Sequence, residues 1–219
     1  MTSFGAIVRA DSVQHLTPAG QRALVEYGVR TIVDLRRHDE RRRDEPLDHL
    51  PVEHVHVPLD DWHHQEIHLV WRGESDDEAG VRAAYGMMTE ELAPNFVQAI
   101  EAIAGAPPGG VVVHCYAGKD RTGLTCAMLL RLAGVGVDDI AADYGLSGDN
   151  IRPLIEPWAD AAPNERERAL RWRIGSSPPR VMTDVLAALE QRHGDVRGYL
   201  LDAGASPAAL DRARDRLFG

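Results

Sequence analysis

The run Val111-Val112-Val113-His114-Cys115-Tyr116-Ala117-Gly118-Lys119-Asp120-Arg121-Thr122-Gly123 sets an apolar stretch against a glycine-punctuated loop, and a strong helical pattern then runs from Thr122 to Ala133 and stops at Gly134. Three consecutive valines suit a strand buried on both faces, as in a parallel sheet. A strand–loop–helix unit of this shape aims the loop's amides and the positive helix end at one spot, which makes an oxyanion cradle. Cys115 stands at the end of the strand, where those amides and Arg121 face it. Cysteines at helix N-termini beside cations have pKa values of about 3.5–7.5 against about 8.5 when free, so this thiol is expected to ionise easily. It would then be a nucleophile placed where a phosphate binds. Arg121 can hold two phosphate oxygens at once and stabilise charge as a P–O bond breaks. Gly118 and Gly123 let the backbone turn tightly and approach a ligand.

Upstream, Thr17-Pro18 reads as an N-cap and first helical residue, framing a helix from Pro18 to Tyr27 that Gly28 ends. Val29 to Leu35 is a β-branched strand, and Val52 to Val57 alternates as a second strand ending at Pro58. Between them, the charged stretch Arg36 to Asp48 reads as a solvated loop or helix, with Arg41, Arg42 and Arg43 on a mixed surface face. Asp34 and Arg36 are placed to brace the loop by ion pairing. Residues 59–80, acidic and His-rich, read as a long loop or mobile covering segment. Helical patterning returns over Glu78 to Leu92 and Pro94 to Ala104. Downstream of the loop the pattern predicts helices over Asp138–Leu146, Asn150–Ala161, Asn164–Arg173, Pro179–Gln191, Val196–Asp202 and Pro207–Phe218. The expected fold is therefore α/β: a small, mostly parallel sheet flanked by helices, with a helical part from about 150 to 219, in one domain over 1–219. Tyr85, Trp158 and Trp172 are expected in the core, as is the stripe Val185, Leu186 and Leu189, while Tyr116 could line the entrance of the pocket.

Of the 219 residues, 24 are Lys or Arg and 34 Asp or Glu, a formal charge of −10. An acidic surface argues against nonspecific nucleic-acid binding, which depends on cations meeting phosphates. No stretch reaches the roughly 20 apolar residues that span a bilayer, and the first residues lack a secretory pattern. A cytoplasmic protein is expected, with signal-independent secretion left open. Cys115 and Cys126 do not suggest a disulfide framework, and Cys126, inside an apolar helix, reads as a small buried hydrophobe. Lys119 is the only lysine among 24 basic residues, in a chain otherwise committed to arginine. A compact ammonium and a planar guanidinium are not equivalent, so a site that keeps lysine points to a need for it. Because Asp120 follows Lys119, the loop is not of the Walker type.

His114-Cys115-Tyr116-Ala117-Gly118-Lys119-Asp120-Arg121-Thr122-Gly123 resembles the HCxxGxxR[ST]G signature loop of the cysteine-dependent protein tyrosine phosphatase superfamily. The Lys-Asp pair inside it is similar to the bacterial tyrosine phosphatases related to lipid phosphatases. Arg9-Ala10-Asp11-Ser12, Leu16-Thr17-Pro18, the strand through Arg36, Ala141-Ala142-Asp143-Tyr144 and Leu146-Ser147 extend the likeness over most of the chain. The resemblance implies hydrolysis in two steps without metal or other cofactor. Cys115 would form a cysteinyl-phosphate, and Arg121 with the amides from Tyr116, Ala117, Gly118, Lys119 and Asp120 to Arg121 would bind the phosphoryl oxygens. Thr122 would hydrogen-bond the thiol, and His114 would orient the loop.

The general acid has three candidate residues. Many relatives carry Trp-Pro-Asp on a separate loop, and this chain has no such tripeptide. The similar bacterial enzymes suggest Asp120 within the loop, with Asp60 or Asp61 as rivals. Lys119 reads as a solvated cation or as a contact to a second charge on the substrate. The expected partner is a phosphorylated protein or peptide, phosphotyrosine foremost, with phosphoserine, phosphothreonine or phosphoinositide as further options; the oligomeric state is left open. Two other functions stay in play. One is a noncatalytic phospho-ligand module on the same cradle. The other is a metallohydrolase around His63, His64 and His68, although Gln65 stands where His-Glu-x-x-His needs glutamate.

Overall fold

The computed structural model describes residues 2–60, 66, 67, 70 and 77–219. Its elements run β1 (Ile7–Ala10), α1 (Pro18–Glu26), β2 (Val29–Asp34), the one-turn α2 (His38–Arg41), β3 (Glu53–His56), α3 (Asp77–Glu91), α4 (Ala93–Gly105) and β4 (Gly110–His114). Six helices follow: α5 (Asp120–Leu132), α6 (Val137–Asp160), α7 (Glu165–Gly175), α8 (Pro179–His193), α9 (Val196–Asp202) and α10 (Pro207–Arg216). The architecture is the expected α/β one, with a small sheet among helices and a helical C-terminal region. Local signals start α1: the Thr17 hydroxyl accepts the Gly20 amide at 3.2 Å, and Pro18 occupies the first turn.

The sheet is four-stranded in the order β1-β4-β2-β3, and every pairing is parallel. Strand β4 lies inside it, paired on both edges, and both faces of its valine run are buried. Val111 and Val113 join the large core with Phe96, Ile100, Leu124 and Met128, while Val112 joins Val13, Val29, Ile32 and Leu47 on the opposite face. Each such buried side chain contributes roughly 1.5–3 kcal/mol. The register brings Ala10, Asp34 and His114 side by side, so the carboxyl ends of β1, β2 and β4 open on one edge. Open parallel sheets bind ligands on that edge.

Several sequence expectations need correction. Strand β1 was not read: it has four residues, sits at the sheet's border and is only half-buried, so its pattern is weak. The charged stretch 36–48 is not uniformly solvated, since Arg36 is 1% exposed and Glu40 is also buried, each among opposite charges. Arg41, Arg42 and Arg43 do face solvent. Within 59–80, Leu59, Asp60 and Ile67 are buried, residues 66, 67 and 70 are helical, and α3 has begun by Asp77. Asp61, His63, His64 and His68 lie outside the described residues.

The two helices expected over 138–161 are one, α6, with Pro153 and Pro157 inside it. Residues 147–149, left between the two expected helices, continue the helix, and Gly148 is there for close approach. The Ser177 hydroxyl accepts its amide at 2.6 Å and donates to the Gly145 carbonyl at 2.9 Å, and a Cβ on Gly148 would lie 2.8 Å from that oxygen. Both prolines face solvent, where water can satisfy the carbonyls they leave unpaired. Trp158 is 37% exposed and Trp172 half-buried, so neither is a core residue, because this stretch of α6 and α7 covers the loop after β4 and not the sheet. Tyr85, Val185, Leu186 and Leu189 are in the core.

Candidate active site

At the end of β4 the chain turns through Gly118 at φ +65°, a left-handed conformation that favours glycine, and enters α5 at Asp120. A side chain at Gly118 is also sterically barred: its Cβ would lie 2.4 Å from the Ala10 carbonyl oxygen. The first turn of a helix leaves its amides without intrahelical acceptors, so the start of α5 offers donors together with the helix dipole. Cys115, Tyr116, Ala117, Lys119, Asp120 and Arg121 line one pocket of about 440 Å³. Its apolar wall consists of Ile151, Leu154, Ile155 and Trp158 from α6 and Ile174 from α7. Tyr116, 45% exposed, stands at the rim, as the sequence suggested.

Arg121 is held by two carboxylates. Its Nη1 and Nη2 donate to Glu40 Oε2 and Oε1 at 2.6 and 2.9 Å, and Nη1 also donates to Asp60 Oδ1 at 3.1 Å. Burial alone would lower the guanidinium's pKa, but Cys115, Glu40 and Asp60 raise it well above its ordinary value. Glu40 shows the reciprocal effect: burial opposes its charge, yet Arg121 and the Arg37 amide bring its pKa below the usual carboxylate value. This planar pairing fixes the direction in which the guanidinium points.

Asp120 Oδ1 accepts from the Tyr85 hydroxyl and lies 3.1 Å from Lys119 Nζ. Tyr85 in turn meets the Tyr144 hydroxyl at 2.8 Å. Burial raises the pKa of both tyrosines well above the ordinary phenol value, with the nearby Asp120 carboxylate adding to it, so both stay protonated. Asp60, the rival acid, is engaged by Arg121 on one oxygen and faces Arg37 at 3.7 Å on the other.

Lys119 is 1% exposed and is no solvated cation. Its ammonium donates to the main-chain carbonyls of Ile174 and Ser176 at 2.5 and 2.8 Å, tying the end of α7 to the loop. A guanidinium fork would not fit that point contact equally well.

His114 is fully buried. Its Nδ1 donates to the Cys115 carbonyl at 3.1 Å, and Nε2 lies 3.7 Å from Asp34. Burial lowers its pKa, which favours the neutral ring. Asp34 is itself clamped by Arg36 through Nε at 3.0 Å and Nη2 at 2.9 Å, which is the expected brace beside the loop. The Thr122 hydroxyl is buried and has no hydrogen-bond partner among the described residues. Cys126 is buried in α5 with its thiol pushed up to about 12, consistent with a packing role.

Sequence reasoning missed Glu40, which looked like one charge in a solvated run. Only its contact with a residue 81 positions away identifies it. Among the described residues no group of His, Cys, Asp and Glu could hold a metal ion, and no helix is long and apolar enough to cross a membrane.

A family model described as "Tyrosine phosphatase family" matches residues 1–219. The chain is 30% identical over 231 aligned positions to a tyrosine-protein phosphatase of Nostoc commune, covering 97% of this chain and 74% of that one. It is 29% identical over 255 positions to the triple specificity protein phosphatase PtpB of Mycobacterium tuberculosis, covering 98% and 91% of the two chains.

Proposed function

The chain belongs to the cysteine-based tyrosine phosphatase family, and from that premise we propose that it hydrolyses phosphate monoesters through a cysteinyl-phosphate on Cys115, phosphotyrosine protein being the favoured substrate. The observation that carries this reading is the placement of Cys115 and a carboxylate-fixed Arg121 in one pocket at the start of α5.

In the first step the Cys115 sulfur attacks phosphorus, and the S–P bond forms as the bond to the leaving oxygen breaks. Asp120 gives that oxygen its proton. Arg121 and the amides of residues 116–121 hold the other phosphoryl oxygens, where charge accumulates. In the second step water attacks phosphorus and passes a proton to Asp120, the S–P bond breaks, and thiolate and inorganic phosphate are left. Splitting the displacement in two is the ordinary advantage of a covalent nucleophile. The unpartnered Thr122 hydroxyl suits a donor that stabilises the departing sulfur. Asp60, occupied by Arg121 and Arg37, suits a role in fixing the guanidinium better than one in carrying a proton.

The apolar wall formed by Ile151, Leu154, Ile155, Trp158 and Ile174 would cover an aromatic ring attached to the phosphate. This supports phosphotyrosine over the shorter phosphoserine. The mycobacterial relative is named a triple specificity protein phosphatase, so phosphoserine, phosphothreonine and phosphoinositide belong in the range to be tested. The test is an activity panel over these substrates in chelator, with Cys115→Ser as control. Turnover of phosphotyrosine peptide that disappears in Cys115→Ser is expected. Turnover that survives the substitution, or that depends on added metal, would overturn the proposal.

A further inference from the structure

The guanidinium of Arg9, which the proposed chemistry leaves unused, joins the catalytic loop to α6. Arg9 Nε donates to the Gly118 carbonyl at 3.0 Å, and Nη2 lies 3.3 Å from the Lys119 carbonyl. The same Nη2 donates to the Ser147 hydroxyl at 2.5 Å, and Nη1 to Asp143 Oδ2 at 2.9 Å. We propose that Arg9 is a positioning residue that sets the amide array of the catalytic loop by gripping its peptides from behind.

A trans peptide is planar, with its N–H pointing opposite to its C=O. Holding the Gly118 carbonyl on the Arg9 side therefore turns the Lys119 amide toward the other side, while the Lys119 carbonyl, which also accepts the Gly123 amide at 2.9 Å, is fixed jointly by Arg9 and the first turn of α5. A third peptide is treated alike, since the Ser12 amide donates to the Tyr116 carbonyl at 3.1 Å and so turns the Ala117 amide. The loop separates two cavities accordingly. Behind it, a cavity of about 460 Å³ is lined by Arg9, Asp11, Asp143 and Ser147, and in front lies the pocket with Cys115 and Arg121.

The need for such a grip is local. Gly118 has the conformational freedom to let its peptide flip, and a flip of the 118–119 peptide would point a carbonyl oxygen at the phosphate in place of an N–H. Arginine suits the task because its planar fork can satisfy several fixed acceptors at once. Asp143 and Ser147 hold the fork in plane from α6.

This inference rests on the phosphatase reading, and the experiment separates the two. We would measure kcat/KM for p-nitrophenyl phosphate and orthovanadate affinity by calorimetry, per folded molecule. The proteins are the full chain, Arg9→Met, Arg9→Lys and Arg216→Met, the last removing an arginine that holds the far end of β4. Arg9→Met should lose about 10²-fold in kcat/KM, with vanadate affinity falling in parallel, since misplacing the cradle weakens transition-state binding. Arg9→Lys should fall between, as a single nitrogen cannot reproduce a fork whose three nitrogens reach the two carbonyls, Ser147 and Asp143 from separate positions, and Arg216→Met should keep both values.

A purely structural role would instead lower the melting temperature of Arg9→Met and leave kcat/KM and vanadate affinity within about twofold of wild type; that result overturns the inference. Should Arg9→Met fail to fold, unchanged values in Arg9→Lys would overturn it equally. A wild-type chain with neither turnover nor vanadate binding removes the phosphatase reading and this inference with it. An active wild type with unaffected Arg9 variants removes the inference alone.

Discussion

Strand β4 is entered from one loop, residues 106–109, and left by another, residues 115–119, and the two are built from similar parts. Each contains a glycine that no other residue could replace without strain: Gly109 at φ +126° and Gly118 at φ +65°. Each has its carbonyls held by a distant arginine. Arg216 of α10 donates to the carbonyls of Ala106, Pro107 and Gly109, as Arg9 does to those of Gly118 and Lys119. The difference lies on the amide side. Pro107 and Pro108 have no N–H to offer, and the first loop runs into a strand whose amides join the sheet. The second loop contains no proline and runs into a helix start, whose first amides have no intrahelical acceptor. A tight turn and an arginine clip therefore do not make an anion site. Amides facing one way, beside a nucleophile and a fixed cation, do.

The sharpest way to break this contrast is at the nucleophile. Cys115→Ser should reduce turnover by about 10⁴-fold or more, while leaving the melting temperature near wild type, in steady-state assays with p-nitrophenyl phosphate. Next comes the proton donor. Asp120→Asn should cost about 10²-fold on an alkyl phosphate and much less on p-nitrophenyl phosphate, whose leaving group needs little protonation. An equal loss on both would move the acid elsewhere.

Glu40→Gln should release Arg121 from its bidentate partner. About a tenfold rise in KM with a smaller change in kcat is expected, because a bidentate fork loses much of its orientation when one carboxylate is neutralised. At the opposite end, Arg216→Met should lower stability by about 1 kcal/mol in urea melts and leave kcat/KM alone.

The smallest effect is that of pH. Burial lowers the pKa of His54, His56 and His114, all near the carboxyl edge of the sheet. The unfolded chain then takes up more protons than the native one below the ordinary His value of about 6.5. Stability present above that pH should be lost as pH falls toward the folded values. Thermal melts should show a lower midpoint at about pH 5.5 than at pH 7, and a flat or rising midpoint would contradict the assignment. Asp34 and Glu40, held below the ordinary carboxylate range, should add their own loss only at still lower pH.

What could be read from the sequence was what local chemistry encodes. The valine run, the loop glycine and the apolar periodicity of α5 depend on neighbours in the chain, and they place Cys115, Arg121 and Asp120 in one pocket as expected. The Thr17-Pro18 start of α1 is equally local. Contacts that depend on the fold were not legible. Glu40 lies in a run of charges whose solvated face looks the same in sequence as its buried one. Arg9 reaches the loop across 109 positions. Trp158 carries the signature of a core residue but stands in the wall of the pocket, because α6 extends past the sheet it would otherwise pack on. Lys119 stood out by composition, yet its partners, two main-chain carbonyls, carry no side-chain signature.

The most direct test of the central claim is rapid-quench mass spectrometry of the wild-type chain during turnover of p-nitrophenyl phosphate. A phosphorus adduct on the sulfur of Cys115, formed and consumed at rates that account for turnover, is the expected result. Full turnover with no adduct at Cys115, or with the phosphorus found on another residue, would contradict it.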